Sequence, residues 1–249
     1  MIDLSGKTIL VTGGSRGIGA VTVKVLAKAG ANVVLHYGRS QAEAEKVAQE
    51  AGGCHLVQAD LSKPGAALEL WRESLAWRGQ IDVLVNNGGI APYASVEDDY
   101  NEWNRVWNET LQVNLIALAD LCREAIRHFR TRGGGILINV ASRAAFRGDN
   151  PDLMHYAASK GGVVALTKSI ARGFGKEGIL AYGIAPGWVE TEMAADYIRL
   201  HAADIARDIP IGTVAPPEDI AHTIAFLAAG LAPHMTGATL DINGASYVR

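Results

Sequence analysis

The segment Tyr156-Ala157-Ala158-Ser159-Lys160 places a phenol and an ammonium four residues apart. On a helix those two side chains share a face. A free tyrosine has a pKa near ~10 and is a poor proton acceptor at neutral pH, but a neighbouring cation stabilises the phenolate and lowers that value. Such a tyrosine can give or take the proton that accompanies hydride transfer at a carbonyl. Ser142, which follows Ile138-Asn139-Val140-Ala141, offers a hydroxyl for the same substrate oxygen. Asn114 lies among Val106, Trp107, Leu111, Leu115 and Leu118, and an amide in apolar company needs hydrogen-bond partners. Each also has an ordinary explanation: a chance helical pair, or a polar side chain on a solvated face.

Hydride chemistry requires a carrier, and a second motif provides for one. Thr12-Gly13-Gly14-Ser15-Arg16-Gly17-Ile18-Gly19 follows the first apolar run and leads into a helical stretch. Glycines there let the backbone turn tightly and approach a pyrophosphate, while the helix N-terminus supplies free N–H groups and partial positive charge. The turn lacks the Gly-Lys-Ser/Thr ending of a triphosphate loop. A carboxylate at the end of the second strand would accept a hydrogen bond from a free ribose 2′-hydroxyl. This chain reads His36-Tyr37-Gly38-Arg39-Ser40 there, with no acid before Glu43. Arg16 and Arg39 could flank a 2′-phosphate, so NADP(H) is favoured over NAD(H).

These residues need a frame that brings 12–19, 114, 142 and 156–160 together. Apolar, β-branched runs at 8–11, 32–35, 81–85, 136–140, 179–184 and 239–242 read as buried parallel strands. Helix-like spacing occupies 17–29, 40–51, 64–78, 102–129, 155–175 and 217–230. Strand and helix alternate, and right-handed crossovers stack helices on both faces of one sheet. The fold predicted is a single-domain α/β doubly wound parallel sheet, a Rossmann fold, with ligands at the carboxyl ends of its strands. Pro186, Gly187, Pro210, Gly212, Pro216 and Pro217 bracket a helix-like piece from about 192 to 207, so a substrate lid is expected at about 190–216.

Composition excludes other classes. The 249 residues carry 23 Lys+Arg against 26 Asp+Glu, a formal net charge of −3 that argues against a nucleic-acid partner. With 49% hydrophobic residues and 20% charged, the chain can build a sizeable core. Two cysteines are too few for a disulfide scaffold. The beginning Met-Ile-Asp-Leu-Ser-Gly-Lys does not read as a signal peptide, and the stretch from Ile220 to Leu231 is too short to span a membrane. A cytoplasmic protein without a membrane partner is expected. No histidine stands in a metal-ligand spacing, so no metal is expected.

Taken together, Thr12 to Gly19, Asp60-Leu61, Asn86-Asn87-Gly88-Gly89, Asn114, Ser142, Tyr156, Lys160 and Pro186-Gly187 resemble the short-chain dehydrogenase/reductase family over essentially the full length. The likeness is strongest to its 3-oxoacyl-carrier-protein reductase type, through the turn Thr-Gly-Gly-Ser-Arg-Gly-Ile-Gly, Trp107 seven residues before Asn114, and Ala185 to Thr191. The resemblance implies a tetrad in which Tyr156 is the acid/base, Lys160 holds the nicotinamide ribose and tunes the phenol, Ser142 orients the carbonyl, and Asn114 fixes a relay water. It implies that Asp60, after a third strand, meets the adenine edge, that Asn87, Gly88 and Gly89 line the cofactor, and that Pro186, Gly187, Val189 and Thr191 border its carboxamide end. It also implies a homotetramer built on helices 104–129 and 155–175.

The chain departs from the family pattern at Gly88, where Ala is usual, at Tyr182, where Asn is common, and at Asn243-Gly244-Ala245, in place of Asp-Gly-Gly. Arg143 and Arg147 point to an acidic group on the substrate or to salt bridges with Asp149, Asp152 or another acid. Arg130, Arg132 and Arg172 could form a basic patch for a carrier protein or simply solvate helix ends. The expected activity is interconversion of a small-molecule ketone and a secondary alcohol, with an acyl thioester among the candidate substrates. An NADP(H)-sensing regulatory binding protein is the alternative; a nucleoside-sugar epimerase is disfavoured because little chain remains for a sugar-binding lobe.

Overall fold

Thr8–Val11 is buried at every position, which only a strand covered on both faces permits. It is β1 of the computed structural model, which describes residues 2–249 apart from the side chains of Met193, Ala194 and Asp196. The other strands are β2 (Asn32–Tyr37), β3 (His55–Gln58), β4 (Val83–Asn86), β5 (Gly135–Val140), β6 (Ile179–Pro186) and β7 (Thr239–Ile242). All pair in parallel in the order β3-β2-β1-β4-β5-β6-β7. The chain winds outward from β1 to β3, then returns to place β4 on the other side of β1. Between β1 and β4 the order therefore reverses, and the loops leaving their carboxyl ends part to open a crevice.

Period-two alternation sorts the core into two layers. Ile9, Val11, Val33, Leu35, Val83, Val85 and Ile138 face one side, packing with Val23 and Leu26 of α1 (Gly17–Lys28) and Val47 of α2 (Gln41–Glu50). Ile220 and Ile224 of α10 (Pro217–Ala228) complete that layer. Leu10, Val34, Leu84, Leu137 and Ala181 face the other side, against α3 (Ala66–Arg78), α5 (Ala117–Arg130) and α7 (Met154–Phe174). The predicted doubly wound single domain is what forms.

Three elements differ from the sequence expectation. No apolar run marked β3, because this edge strand has only four residues and polar ends, His55 and Gln58. The helix expected at 102–129 is three pieces: α4 (Tyr100–Leu111), a π-helical turn (Gln112–Ile116) and α5. Hydrophobic spacing is too coarse to register one extra residue in a helical turn. The piece expected at about 192–207 is two helices, α8 (Glu192–Leu200) and α9 (Ala202–Asp208), broken at His201. A single turn, α6 (Ala144–Arg147), follows β5. No described helix is long and apolar enough to cross a membrane, and Cys54 and Cys122 are both free thiols.

Candidate active site

The crevice is a cleft of about 990 Å³ running from the glycine-rich turn across the sheet's carboxyl edge to α8 and α9. Its near wall is the turn itself. Gly13 and Gly17 have φ of +65° and +54°, values costly for any side chain. A Cβ on Gly13 would lie 2.8 Å from the Gly88 Cα, and one on Gly19 would lie 2.0 Å from the Gly13 carbonyl oxygen. The turn therefore stays low over the sheet and leaves a cradle open at the N-terminus of α1. That shape fits a pyrophosphate, with the first α1 N–H groups and the helix dipole turned toward it.

Most of the residues expected at a cofactor lie on this cleft: Gly13, Ser15, Arg16, Gly17, Ile18, Arg39, Ser40, Asp60, Leu61, Asn87, Gly88, Gly89, Pro186, Gly187, Val189 and Thr191 all line it. Thr12, Gly19 and Tyr37 do not. Thr12 is buried, and its Oγ1 accepts hydrogen bonds from the Asn87 and Gly88 amides at 3.0 and 2.9 Å, joining the turn to the β4 loop. Asn87 returns the tie, donating from Nδ2 to the Thr12 and Gly13 carbonyls. Tyr37 packs in the core with Leu35, because alternate residues of β2 share a face.

The neighbour of Tyr37 on the opposite face is His36, which lines the cleft and which the sequence reading passed over. Asp60 turns its Oδ1 onto the amide and hydroxyl of Ser62 at 3.1 and 2.7 Å. Those bonds, with Lys63 and Arg39 nearby, hold its carboxyl below the ordinary value.

At the far end, β5 delivers Ser142 and α7 delivers Tyr156 and Lys160 to one wall. Lys160 is 4% exposed, and its Nζ donates to the Val140 carbonyl at 2.8 Å and lies 5.7 Å from the centre of the Tyr156 ring. Gly89 makes the room: a Cβ there would stand 3.5 Å from Lys160 Nζ and 3.2 Å from Asn114 Oδ1. The pKa of the phenol is raised, where a lowering by the ammonium was expected. Burial pushes Tyr156 up to about 12, opposed by a hydrogen bond with Ser142 and assisted by the negative charge of Asp149. Burial likewise pushes Lys160 down to about 8. Desolvation dominates both shifts, and the hydrogen bond of the Lys160 ammonium goes to a backbone carbonyl.

Asn114 sits in the π-turn, fully buried and off the cleft surface. Its Oδ1 accepts from the Ile90 amide at 2.9 Å, and its Nδ2 donates to the Ile90 carbonyl at 2.9 Å and to Ser159 Oγ at 3.1 Å. These are the partners that an amide among apolar neighbours required. They clamp the loop after β4 to α7, one residue from Lys160.

The segment after β6 closes the cleft's outer end. Its two stems are joined by a short parallel bridge, in which the Glu190 amide donates to Ala215 O and the Ala215 amide to Trp188 O, both at 3.0 Å. Trp188 stacks on Tyr197 of α8, with ring centroids 5.0 Å apart. Arg143 and Arg147 both pair with Asp208 at the end of α9, at 3.2 and 3.3 Å, so the acid that meets them belongs to the chain itself. Arg143 also bonds Ser246 Oγ and lies over the Trp188 ring. Arg130 of the suspected basic patch is paired with Glu177, and Arg132 donates to Gln80.

Tyr182 points away from the cleft, its hydroxyl donating to Ala232 O. The side chain of Met193, within the expected lid at about 190–216, lies outside the described residues. Among the described residues no group of three or more His, Cys, Asp or Glu could hold a metal ion.

Comparison with known proteins agrees with this architecture. The family model described as Enoyl-(Acyl carrier protein) reductase matches residues 13–245. A 3β-hydroxysteroid dehydrogenase 1 of Eggerthella lenta is 38% identical, with 97% of this chain and 94% of that protein covered. A 3-oxoacyl-[acyl-carrier-protein] reductase of Chlamydia pneumoniae is 36% identical, with 98% of each covered. A solved structure, a mutant of a Serratia marcescens short-chain dehydrogenase/reductase, superposes with a TM-score of 0.90 at 35% identity, covering 98% of this chain and 99% of that one. A glycine cradle at the β1–β4 crevice, a serine, tyrosine and lysine along its far wall, and full-length relatives of one kind together place the chain in the short-chain dehydrogenase/reductase family of NAD(P)-dependent oxidoreductases.

Proposed function

We propose that the protein is an NADP(H)-dependent reductase that interconverts a ketone and a secondary alcohol. The observation that carries the reading is the convergence of Ser142, Tyr156 and Lys160 on one wall of a cleft whose other end is the glycine cradle. The nicotinamide, when bound, supplies or accepts the hydride. Everything else falls to the chain. The cradle and the α1 N-terminus hold the pyrophosphate; Asn87, Gly88 and Gly89 line the middle of the cleft; Pro186, Gly187, Val189 and Thr191 border the carboxamide end.

Tyr156, pushed up to about 12, keeps its proton at neutral pH, the state required to protonate an oxygen during carbonyl reduction. Ser142 faces the same phenol and orients the substrate oxygen. Lys160 holds the nicotinamide ribose, and Asn114 keeps the Lys160 helix and the Ile90 loop in register through its side chain.

Preference for NADP(H) rests on Arg16, Arg39 and Ser40 lining the ribose end of the cleft, with no acid at the end of β2. A guanidinium on a phosphate makes charge-assisted bonds worth about 1.5–3 kcal/mol. Arg39→Ala should therefore weaken NADPH binding by tenfold or more, on the order of one such bond, and leave NADH within about twofold. Equal losses for both would defeat the 2′-phosphate assignment.

The Chlamydia relative supports a 3-oxoacyl thioester as the substrate class, and the Eggerthella relative supports a hydroxysteroid as the second reading. Oxidation of NADPH and of NADH should be followed against 3-oxoacyl thioesters, 3-ketosteroids and simple ketones. Turnover of thioesters with NADPH is expected. Cofactor binding without turnover of any carbonyl would favour the regulatory binding protein instead. A homotetramer packed through α4, α5 and α7 belongs to the same reading, supported by Tyr100 of α4, Ile116 of the π-turn and Met154 of α7, which remain exposed.

A further inference from the structure

His36 is a polar side chain with only 4% of its surface exposed, at the point where three segments of the cofactor cleft meet. Its Nδ1 accepts the Gly13 amide at 3.1 Å, and its Nε2 lies 3.0 Å from the Ala59 carbonyl. Its own carbonyl accepts the Gly14 amide at 2.8 Å. Two consecutive N–H groups of the glycine-rich turn are thus held by one residue of β2, and the same ring reaches the start of the loop after β3.

We propose that His36 is a positioning residue for the dinucleotide. By turning the Gly13 N–H inward and tying the turn to Ala59, it sets the shape of the cradle and hence cofactor affinity, without touching the reacting atoms. The inference rests on the cofactor reading of this cleft.

The chemistry of the ring supports the assignment. An Nδ1 that accepts from an amide carries no proton, so Nε2–H is the donor to Ala59 O, and this second bond fixes the tautomer. Burial lowers the pKa of the ring, which keeps the accepting lone pair available at neutral pH. Gly13 at φ +65° has no steric support of its own, since a glycine is free to adopt many conformations. Without the imidazole its part-buried N–H would lose its acceptor.

Two amide side chains separate the ring's two ends. Asparagine carries an oxygen near the position of Nδ1 and can accept from Gly13; glutamine reaches to the position of Nε2 and can meet Ala59 but leaves Gly13 unpaired. Full-length His36→Leu, His36→Asn and His36→Gln should be titrated with NADPH by fluorescence, and kcat measured at saturating NADPH, with thermal melts as a check on folding.

The proposal expects His36→Leu and His36→Gln to raise the NADPH Kd by roughly tenfold, the loss of one part-buried hydrogen bond, while kcat stays within about twofold. His36→Asn should restore most of the affinity. Should His36→Leu fail to fold, the comparison of Asn with Gln decides. Equal affinity in those two variants, wild-type affinity in His36→Leu, or a fall in kcat with Kd unchanged would overturn it. A wild-type protein that binds neither NADPH nor NADH would overturn the cofactor reading, and this inference with it.

Discussion

Lys160 shows what the active wall demands of individual residues. A fully buried ammonium with one carbonyl for a partner is held at about 8, against 10.5 for a free lysine. Because the folded value is the lower one, the unfolded chain binds the proton more tightly. The resulting penalty is complete below pH 8 and is relieved as the pH rises to 10.5. At neutral pH that burial costs on the order of 3 kcal/mol. Lys160→Met should therefore be more stable than the wild type at pH 7 by ~1–2 kcal/mol, once about 1 kcal/mol is deducted for the Val140 carbonyl left unpaired. Its advantage should shrink toward pH 10. Tyr156 acts in the opposite sense between 10 and about 12, overlapping that window only at its upper edge, and it is common to both proteins. Denaturant melts at pH 7 and pH 10 read the difference directly, and an advantage independent of pH would refute the assignment.

The identities of Ser142, Tyr156 and Lys160 were legible in the chain because their spacing and strand-end position are local features. The direction of the pKa shifts was not, since it depends on how little water the folded cleft leaves around them. His36 was overlooked for a related reason: only the alternation of β2, seen with its two neighbours in place, shows that Tyr37 turns into the core.

At the scale of elements, the strands, the glycine turn and α7 could be read from their hydrophobic runs, and what escaped were the irregular pieces. β3 is short and polar at both ends, the π-turn adds a residue to a pattern otherwise helical, and the break between α8 and α9 follows no proline or glycine. The π-turn matters because it carries Asn114, and π-turns occur frequently at functional sites.

The α8–α9 segment is anchored by two bridged stems, by Trp188 on Tyr197, and by Asp208, which meets two guanidinium groups at once. Arg143 is 7% exposed and directly follows Ser142, so the segment's latch lies next to the hydroxyl proposed to orient the substrate oxygen. If the segment is the lid, Asp208→Asn should loosen it. The expected result is a severalfold rise in KM for the carbonyl substrate, faster proteolysis within 190–216, and NADPH affinity close to that of the wild type. Unchanged proteolysis together with unchanged KM would show the segment to be a fixed wall.

The whole molecule is a division of labour along one crevice. The first third of the chain, β1 to β4, builds the glycine cradle; the later part, β5 to β7 with α7, builds the wall that carries Ser142, Tyr156 and Lys160; the reversal of strand order between β1 and β4 makes them face each other. The order of runs in the sequence foretold this arrangement, because alternating buried strands and helices with right-handed crossovers leave few other solutions. Substrate choice was not foretold, since it depends on side chains of the outer segment that are brought together only by the fold. Of the two roles open to Arg143 and Arg147, an acidic substrate group or a salt bridge within the chain, the fold provides the second through Asp208, a residue 65 and 61 positions away.

In the proposed reaction Tyr156 is the proton donor of a cleft that binds its cofactor independently. The most direct measurement is turnover of Tyr156→Phe at saturating NADPH, with NADPH affinity titrated on the same preparation. The expected result is an unchanged Kd and a kcat lower by roughly 10²–10⁴-fold, the usual contribution of a positioned general acid. A variant that keeps most of its turnover would contradict it.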